Sequence, residues 1–295
     1  MSHSAPPYLI AVDGGGSGCR AVVASFEGRV LGEGHAGPAN ATSDLDQSIA
    51  NTRVAIDGAL GSARLDATEP GRFVAHLGLA GALTSEVTAR IARECGLPDV
   101  TVGDDLETAL AGALGASDGI LVSVGTGSVM AGRHRGTMSR IGGWGLKVSD
   151  QASGAWLGRG LMERTLLCHD GLEPPSDLTE AVLAEFGGAL EIVAFAARAT
   201  PGDFASWAPR VVAAADNDAQ AAALMTAGAA YLARGVEFLD PSGQAPLCLT
   251  GGLGPAYRAH LSNLKGRMVQ PQGTALDGAL RLAGEAVRRR AGSGN

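Results

Sequence analysis

Tyr8–Gly18, YLIAVDGGGSG, sets the strand pattern of the first part of the chain. Its apolar run ends at Asp13, and a cluster of three glycines follows. Two further runs, Ala21–Phe26 and Arg29–Gly34, have the composition of strands and are separated by a short turn. Because strand follows strand, the glycine cluster is predicted to form a hairpin and not to lead into a helix.

The glycine hairpin suits the binding of a phosphate. Gly14, Gly15 and Gly16 allow a tight turn that brings backbone amides close to an anion, and Ser17 adds a hydroxyl donor. Asp13 would repel phosphate unless a cation lay between them, which predicts Mg²⁺ held through water. Without a lysine or a following helix, the motif is neither a P-loop nor a dinucleotide fingerprint. A purely structural hairpin is the alternative.

The same pattern returns after Gly119, where Ile120–Val124 is apolar and Val129–Arg133 follows a second glycine turn. That second hairpin consists of Gly125, Thr126, Gly127 and Ser128. The repetition predicts two similar lobes with a boundary near residues 116–119. Two such hairpins on either side of a cleft would grip the β- and γ-phosphates of one nucleotide.

Periodicity supplies the remaining elements. Before the second hairpin it predicts helices over Ser43–Leu60, Thr84–Cys95 and Asp105–Leu114, and strands over Phe73–Leu79 and Val100–Val102. After it come helices over Ala152–His169, Leu178–Phe186, Ile192–Ala199, Asp203–Ala215 and Ala219–Leu239, a strand over Pro246–Thr250, a helix from Pro255 and a last helix over Thr274–Arg290. This last helix is expected to return to the first lobe.

Two acidic residues follow a predicted strand in Gly103-Asp104-Asp105. Ligand crevices form at the carboxyl ends of strands in α/β sheets, so a carboxylate here could accept a proton from a substrate hydroxyl. The alternative is ordinary capping of the next helix by Asp104.

A tryptophan lies among glycines in Gly142-Gly143-Trp144-Gly145, and Asp150 follows in a polar loop. Glycines around one tryptophan are a poor core pattern, but an indole beside polar groups suits a sugar, whose apolar face and hydroxyls must both be bound. Asp150 could equally cap the helix predicted from Ala152.

Two further loops are candidates for ligand contacts. Gly251 and Gly252 follow an apolar strand and could form a backbone platform for adenine, or merely a strand-to-helix turn. Asn40, in a loop after Gly37-Pro38, could hydrogen-bond a sugar hydroxyl.

Composition argues against several other classes of protein, among them nucleic-acid-binding and membrane proteins. With 45% hydrophobic and 18% charged residues the chain is globular, and its net charge of −7 argues against nucleic acid as a partner. No segment approaches 20 uninterrupted apolar residues, and Met1–Pro7 has no secretory pattern, so no membrane partner is expected and the cytoplasm is the expected location. The scattered histidines have no spacing typical of a structural zinc site, so none is expected.

Taken in order, these motifs resemble the sugar-kinase branch of the actin and heat-shock-chaperone superfamily. The chain is most similar to the group of N-acetylglucosamine kinases, bacterial glucosamine kinases and ATPase activators of benzoyl-CoA reductase. The resemblance extends from Tyr8 to Ala283, and the run Ser149–Gly158, SDQASGAWLG, is closest to the glucosamine kinases.

This resemblance implies an α/β, actin-like ATPase fold, with two ribonuclease H-like lobes around a nucleotide and sugar cleft. Residues 1–117 would form the N-terminal lobe, joined by a C-terminal helix at 275–290, and residues 118–274 the C-terminal lobe. The implied activity uses ATP and Mg²⁺ to phosphorylate the 6-hydroxyl of an amino sugar, with glucosamine slightly preferred over N-acetylglucosamine. A sugar is the implied partner, and a homodimer is left open.

The resemblance also assigns roles to residues. Asp105 would be the catalytic base, and Asp104 stands where the family has Asn, which leaves the role of that position open. The nucleotide would be bound by Gly14, Gly15, Gly16, Ser17, Gly125, Thr126, Gly127, Gly251 and Gly252, with Asp13 assisting Mg²⁺. The sugar would contact Asn40, Asp105, Ser128, Gly143, Trp144, Gly145 and Asp150.

Two rival functions stay open at this point. A redox-linked ATPase activator should hold an iron–sulfur cluster with closely placed cysteines, but Cys19, Cys95, Cys168 and Cys248 are far apart. They are instead expected to be small buried thiols in a reducing compartment. A sugar-sensing regulator would need a DNA-binding segment, for which there is no room before Tyr8.

Overall fold

The structure is a computed structural model that describes residues 8–66 and 72–292. The expectations about a secretory signal and a preceding DNA-binding segment concern residues 1–7, which lie outside the described residues. The chain divides into two compact units. The first unit comprises residues 1–117 and 271–295, and the second comprises residues 118–270.

The first unit is built on a mixed sheet that has five strands within the described residues. Its elements are β1 (Tyr8–Gly14), β2 (Cys19–Ala24), β3 (Val30–Ala36), α1 (Leu45–Ala63), β4 (Phe73–Leu79), α2 (Ser85–Glu94), β5 (Val100–Gly103), α3 (Asp105–Leu114) and α11 (Ala275–Gly292). The strand order is β3-β2-β1-β4-β5. β2 is antiparallel to both its neighbours, which confirms the predicted hairpin, while β1, β4 and β5 are parallel.

Small residues allow the helices to lie close to this sheet. Gly34 on β3 must lack a side chain, because a Cβ there would clash with the backbone carbonyl of Ala55 in α1. On the opposite side, Ala279 of α11 packs against Ala11 and Val22 of the sheet. The scarcity of aromatic residues is therefore matched by close backbone packing, which keeps the interior dense.

The second unit repeats the mixed sheet and adds more helices. Its elements are β6 (Gly119–Val124), β7 (Ser128–His134), β8 (Thr137–Gly142), α4 (Gly154–His169), α5 (Asp177–Phe186), α6 (Ala189–Ala196), α7 (Pro201–Ala205), α8 (Ala208–Ala214), α9 (Ala219–Leu239), β9 (Leu247–Thr250), α10 (Gly254–His260), a 3₁₀ helix (Ser262–Arg267) and β10 (Met268–Val269). The described strands have the order β10-β9-β6-β7-β8. β6 is parallel to β9 and antiparallel to β7, so the second glycine turn is also a hairpin.

One predicted helix is wrong in the second unit. The segment Asp203–Ala215 forms two short helices, α7 and α8, and not one. Pro209 lies in the first turn of α8, where its missing N–H is tolerated, whereas within a continuous helix it would break a hydrogen bond. Strands β8 and β10 were not predicted. Of these, β10 has only 2 residues, too few to show an alternating pattern.

In the described part of the chain, no helix is both long and apolar enough to cross a membrane.

Candidate functional site

In the first unit, the predicted site residues follow the carboxyl ends of three parallel strands. Asp13 of β1 pairs in register with Gly78 of β4, and Gly78 pairs with Gly103 of β5. The phosphate hairpin therefore leaves the sheet at the same edge as the pair Asp104-Asp105. This is the edge at which α/β sheets bind ligands.

The first hairpin combines a tightly packed base with an exposed tip. A Cβ on Gly14 would lie 2.5 Å from Leu79 Cδ2 and 2.9 Å from Ala39 Cβ, so no larger residue fits. The amide of Gly15 donates to the carbonyl of Gly18 at 2.9 Å and closes the turn. Gly16 and Ser17 are exposed at the tip, where an anion could reach the backbone.

Asp13 has a cationic partner that the sequence analysis missed. Arg20 lies directly across the hairpin in register, and its Nη2 donates to Asp13 Oδ2 at 2.5 Å. The signal was available, because residues 13 and 20 flank the turn symmetrically in a two-stranded hairpin. The guanidinium of Arg20 thus lies beside the loop predicted to bind phosphate, where its charge is balanced by Asp13.

The surroundings of Asp13 fit a magnesium ion held through water. No group of three or more His, Cys, Asp or Glu side chains able to hold a metal occurs among the described residues. Mg²⁺ typically keeps several waters and uses one or two carboxylates together with substrate phosphates. One carboxylate beside a phosphate hairpin is such a donor set, and Asp13 is the residue that would supply it.

Asn40 lies on the loop that packs against the first hairpin. The amide of Ala39 donates to the carbonyl of Gly15 at 2.9 Å, which ties the loop to the turn. Asn40 Oδ1 accepts from the amides of Thr42 at 2.9 Å and Ser43 at 3.3 Å. With that oxygen occupied by the local turn, Asn40 would bind a sugar hydroxyl through its NH₂ group.

Asp104 and Asp105 lie at the start of α3. Asp104 has the backbone conformation of an N-cap, but its side chain makes no capping hydrogen bond, so the simple capping interpretation is wrong. Asp105 is the first helical residue and is half-buried. The positive end of the helix dipole favours a carboxylate over a carboxylic acid at this position.

Two titratable groups lie close to this pair of aspartates, the half-buried Glu107 and the buried His76. Glu107 packs against Gly103, and burial together with the nearby Asp104 raises the pKa of its carboxyl. His76 Nδ1 lies 2.9 Å from the Thr101 hydroxyl, and burial lowers the pKa of this imidazole to about 4. Neither group was predicted, because each lies within an apolar stretch that resembles ordinary core.

In the second unit, the second hairpin and the glycine pair at 251–252 are neighbours. The amide of Leu253 donates to the carbonyl of Val124 at 3.0 Å. Gly251 has φ of +80°, and a Cβ on it would clash with the backbone of Val124. Glycine is therefore required here for both conformation and space. Thr126 is exposed at the tip of the hairpin, as a nucleotide contact requires.

Ser128 connects the second hairpin to the tryptophan loop. Its hydroxyl donates to the carbonyl of Gln151 at 2.6 Å, and its own carbonyl accepts from the amide of Gly143 at 2.9 Å. The residue is buried. The structure thus gives Ser128 a positioning role, and its contact with substrate stays a prediction.

The tryptophan loop has an unusual backbone. Gly142, Gly143 and Gly145 have φ of +76°, +73° and +86°, in the left-handed region that favours glycine. Trp144, between them, is 64% exposed. Asp150 at +63° is a non-glycine residue in the same region. Such strain tends to cluster at functional sites, where the surrounding structure holds it in place.

Asp150 stabilises this loop and does not cap α4. Its Oδ1 accepts from the amide of Gly145 at 3.2 Å, and its carboxylate also accepts from the amide of Ser128. Burial raises the pKa of Asp150. The N-cap of α4 is Ser153, whose hydroxyl accepts from the amide of Trp156 at 3.0 Å, so the capping alternative for Asp150 is wrong.

Tyr231 of α9 is a further neighbour that the sequence did not reveal. Its hydroxyl lies against Gly142 and forms a hydrogen bond with the side chain of Ser149. Burial and the nearby Asp150 raise the pKa of this phenol. Tyr231 lies far along the chain in a helix whose pattern indicates only core packing.

Known proteins are similar to this chain over almost its whole length. A glucosamine kinase of Vibrio cholerae is 30% identical over 285 residues, which cover 94% of this chain and 96% of that protein. The structure of a protein provisionally assigned as an N-acetylglucosamine kinase, from Chromobacterium violaceum, is 34% identical and superimposes with a TM-score of 0.85 over 94% of this chain and 99% of its own.

A ROK-family glucokinase of Streptomyces griseus, 18% identical, superimposes with a TM-score of 0.54 over 96% of this chain and 99% of that one, which shows likeness of fold alone. With these structures, the predicted α/β, actin-like, two-lobe fold is confirmed. The model of the BadF/BadG/BcrA/BcrD ATPase family matches residues 10–280. The chain therefore belongs to the BadF/BadG/BcrA/BcrD ATPase family, the group that its ordered motifs resemble.

Proposed function

We propose that this protein transfers the γ-phosphoryl group of ATP to the 6-hydroxyl of an amino sugar, with glucosamine preferred over N-acetylglucosamine. The observation that carries the proposal is the shared edge of the first sheet, where a glycine hairpin and Asp105 follow the ends of parallel strands and the Asn40 loop is tied to the hairpin. The similarity to a glucosamine kinase over 94% of the chain supports the choice of an amino sugar.

The nucleotide would be bound mainly by backbone groups. Each unit has an exposed hairpin tip, around Gly16 in the first and Thr126 in the second, whose amides would bind phosphate, and Arg20 lies beside the first tip. Gly251 and Gly252 would support the adenosine. Mg²⁺, held through water by Asp13, would offset charge on the phosphates.

Asp105 would act as the base. As the sugar 6-oxygen bonds to the γ-phosphorus, the bond to the β,γ-bridging oxygen breaks and ADP leaves. The hydroxyl proton passes to the carboxylate of Asp105. The start of α3 suits this task, because the helix dipole favours the ionised form that accepts a proton.

In the second unit, Trp144 and Asp150 would bind the sugar, and Asn40 of the first unit stays a predicted contact. The buried carboxylate of Asp150 can accept hydrogen bonds from hydroxyls, and it would also attract an ammonium group. This second property is the reason for preferring glucosamine, which carries an ammonium group that N-acetylglucosamine lacks.

A panel assay tests the proposal. Release of ADP is measured with glucosamine, N-acetylglucosamine, glucose and no sugar, and the product is located by NMR. We expect the highest kcat/KM with glucosamine, little release without sugar, and phosphate on the 6-oxygen. Equal ADP release with and without every sugar would refute kinase activity and favour an ATPase activator.

A further inference from the structure

Arg140, at the end of β8, makes contacts with the tryptophan loop that no sequence motif indicated. We propose that Arg140 is a positioning residue: its guanidinium fixes the loop Gly142–Gly145 and orients the Trp144 indole for sugar binding. This inference rests on the proposed function, because it concerns the same sugar site.

The contacts form a fork around the loop. Arg140 Nε donates to the carbonyl of Gly142 and Nη2 donates to the carbonyl of Gly143, each at 3.3 Å. The guanidinium carbon lies 5.6 Å from the centroid of the Trp144 ring, within cation–π range. One side chain therefore holds two successive carbonyls and the next side chain. A planar, multiply donating guanidinium is suited to this, and an ammonium group is not.

The loop needs such a restraint. Three of its four residues are glycines at positive φ, which lose the most conformational entropy on ordering. Trp144 is 64% exposed and is not fixed by burial in a core. Opposite Arg140, the amide of Gly143 donates to the carbonyl of Ser128. That bond holds the amide side of the loop, whereas Arg140 holds its carbonyl side.

The same geometry explains the glycine at position 143. A Cβ there would lie 2.5 Å from Arg140 Nη2 and 3.0 Å from Val129 Cγ2. A side chain at residue 143 would therefore displace the guanidinium from the loop. With the guanidinium over one face of the indole, the apolar face of a sugar would pack against the other.

The test compares Arg140→Met, which keeps the apolar stem, with Arg140→Lys, which keeps the charge but not the planar group that donates to both carbonyls. Arg198→Met is the matched control, since Arg198 is an exposed arginine of the same unit whose Nε also donates to a backbone carbonyl, that of Ala194. For each variant, sugar KM, ATP KM, kcat, thermal midpoint and tryptophan emission are measured. Trp144→Phe identifies the Trp144 part of the emission.

We expect Arg140→Met to raise sugar KM about tenfold, as expected for the loss of charged donors, and to change ATP KM less than about twofold. The Trp144 emission should shift, and Arg140→Lys should give an intermediate sugar KM. In the Trp144→Phe background, Arg140→Met should raise sugar KM by a smaller factor than it does in the wild type, since the two residues act together.

Wild-type sugar KM and unchanged Trp144 emission in Arg140→Met would overturn the inference. Equal rises in sugar KM and ATP KM, with a lowered midpoint, would also overturn it, because they indicate a general structural role. If the wild type phosphorylates no sugar, the proposed function fails. The emission of Trp144 then still decides whether Arg140 holds the loop.

Discussion

Replacing Asp150 by Asn separates a role at the sugar site from a role in stability. The carboxylate accepts from two amides, Gly145 and Ser128, and Asn keeps only one of its two acceptor oxygens. Asn also tolerates the observed φ of +63°, whereas Ala would add about 1 kcal/mol of strain. A lost hydrogen bond to a charged group costs about 1.5–3 kcal/mol, which corresponds to roughly ten- to a hundredfold in sugar KM.

The assay measures both KM values and the thermal midpoint. Because the amide of Ser128 lies at the foot of the second hairpin, ATP KM should also rise, but by a smaller factor than sugar KM. Asp177→Asn is the control, an exposed carboxylate in the first turn of α5 of the same unit. A lowered midpoint with sugar KM within twofold of the wild type would show that Asp150 is a purely structural residue.

Three further predictions follow from burial and close packing. Burial lowers the pKa of His76 from 6.5 to about 4, so on acidification the unfolded chain binds this proton before the folded chain does. Up to about 3 kcal/mol of the free energy of unfolding should therefore be lost as pH falls from 6.5 to about 4. Denaturant titrations should find a smaller loss in His76→Asn. Because burial raises the pKa of Asp150, sugar affinity should weaken on acidification at a higher pH than an ordinary aspartate would give, and calorimetric titrations of Asp150→Asn should lack this change. Gly14→Ala should lower the free energy of unfolding by about 1–3 kcal/mol and raise ATP KM, since its Cβ would overlap Leu79; an unchanged midpoint would show that the hairpin base can relax.

The strands and hairpins were predictable because their patterns are local. Apolar runs on either side of the two glycine clusters predicted β1, β2, β6 and β7 closely, and α3 and α9 were predicted to the residue. The split between α7 and α8 was missed because overall helical periodicity outweighed Pro209, although the proline was visible. Local patterns also placed Asp104 and Asp150 near helix starts, but they did not indicate that Asp104 makes no capping hydrogen bond or that Ser153 caps α4.

Contacts between distant segments could not be predicted. Tyr231 and Ser149 meet only because α9 packs beside the tryptophan loop, and His76 and Glu107 share an environment only after β4, β5 and α3 assemble. Arg140 has no motif, and its role depends on the direction of two carbonyls. Such features depend on tertiary geometry, which a single sequence encodes without a local signature.

In the proposed phosphoryl transfer, Asp105 is the base. The decisive measurement is kcat with glucosamine for Asp105→Asn, alongside ATP affinity from equilibrium binding. Asp104→Asn is the matched control, since it makes the same change one residue earlier and restores the residue usual in the family. We predict that Asp105→Asn lowers kcat by at least about 10²-fold with ATP still bound, while Asp104→Asn keeps most of the activity. A near-normal kcat in Asp105→Asn would show that the base lies elsewhere.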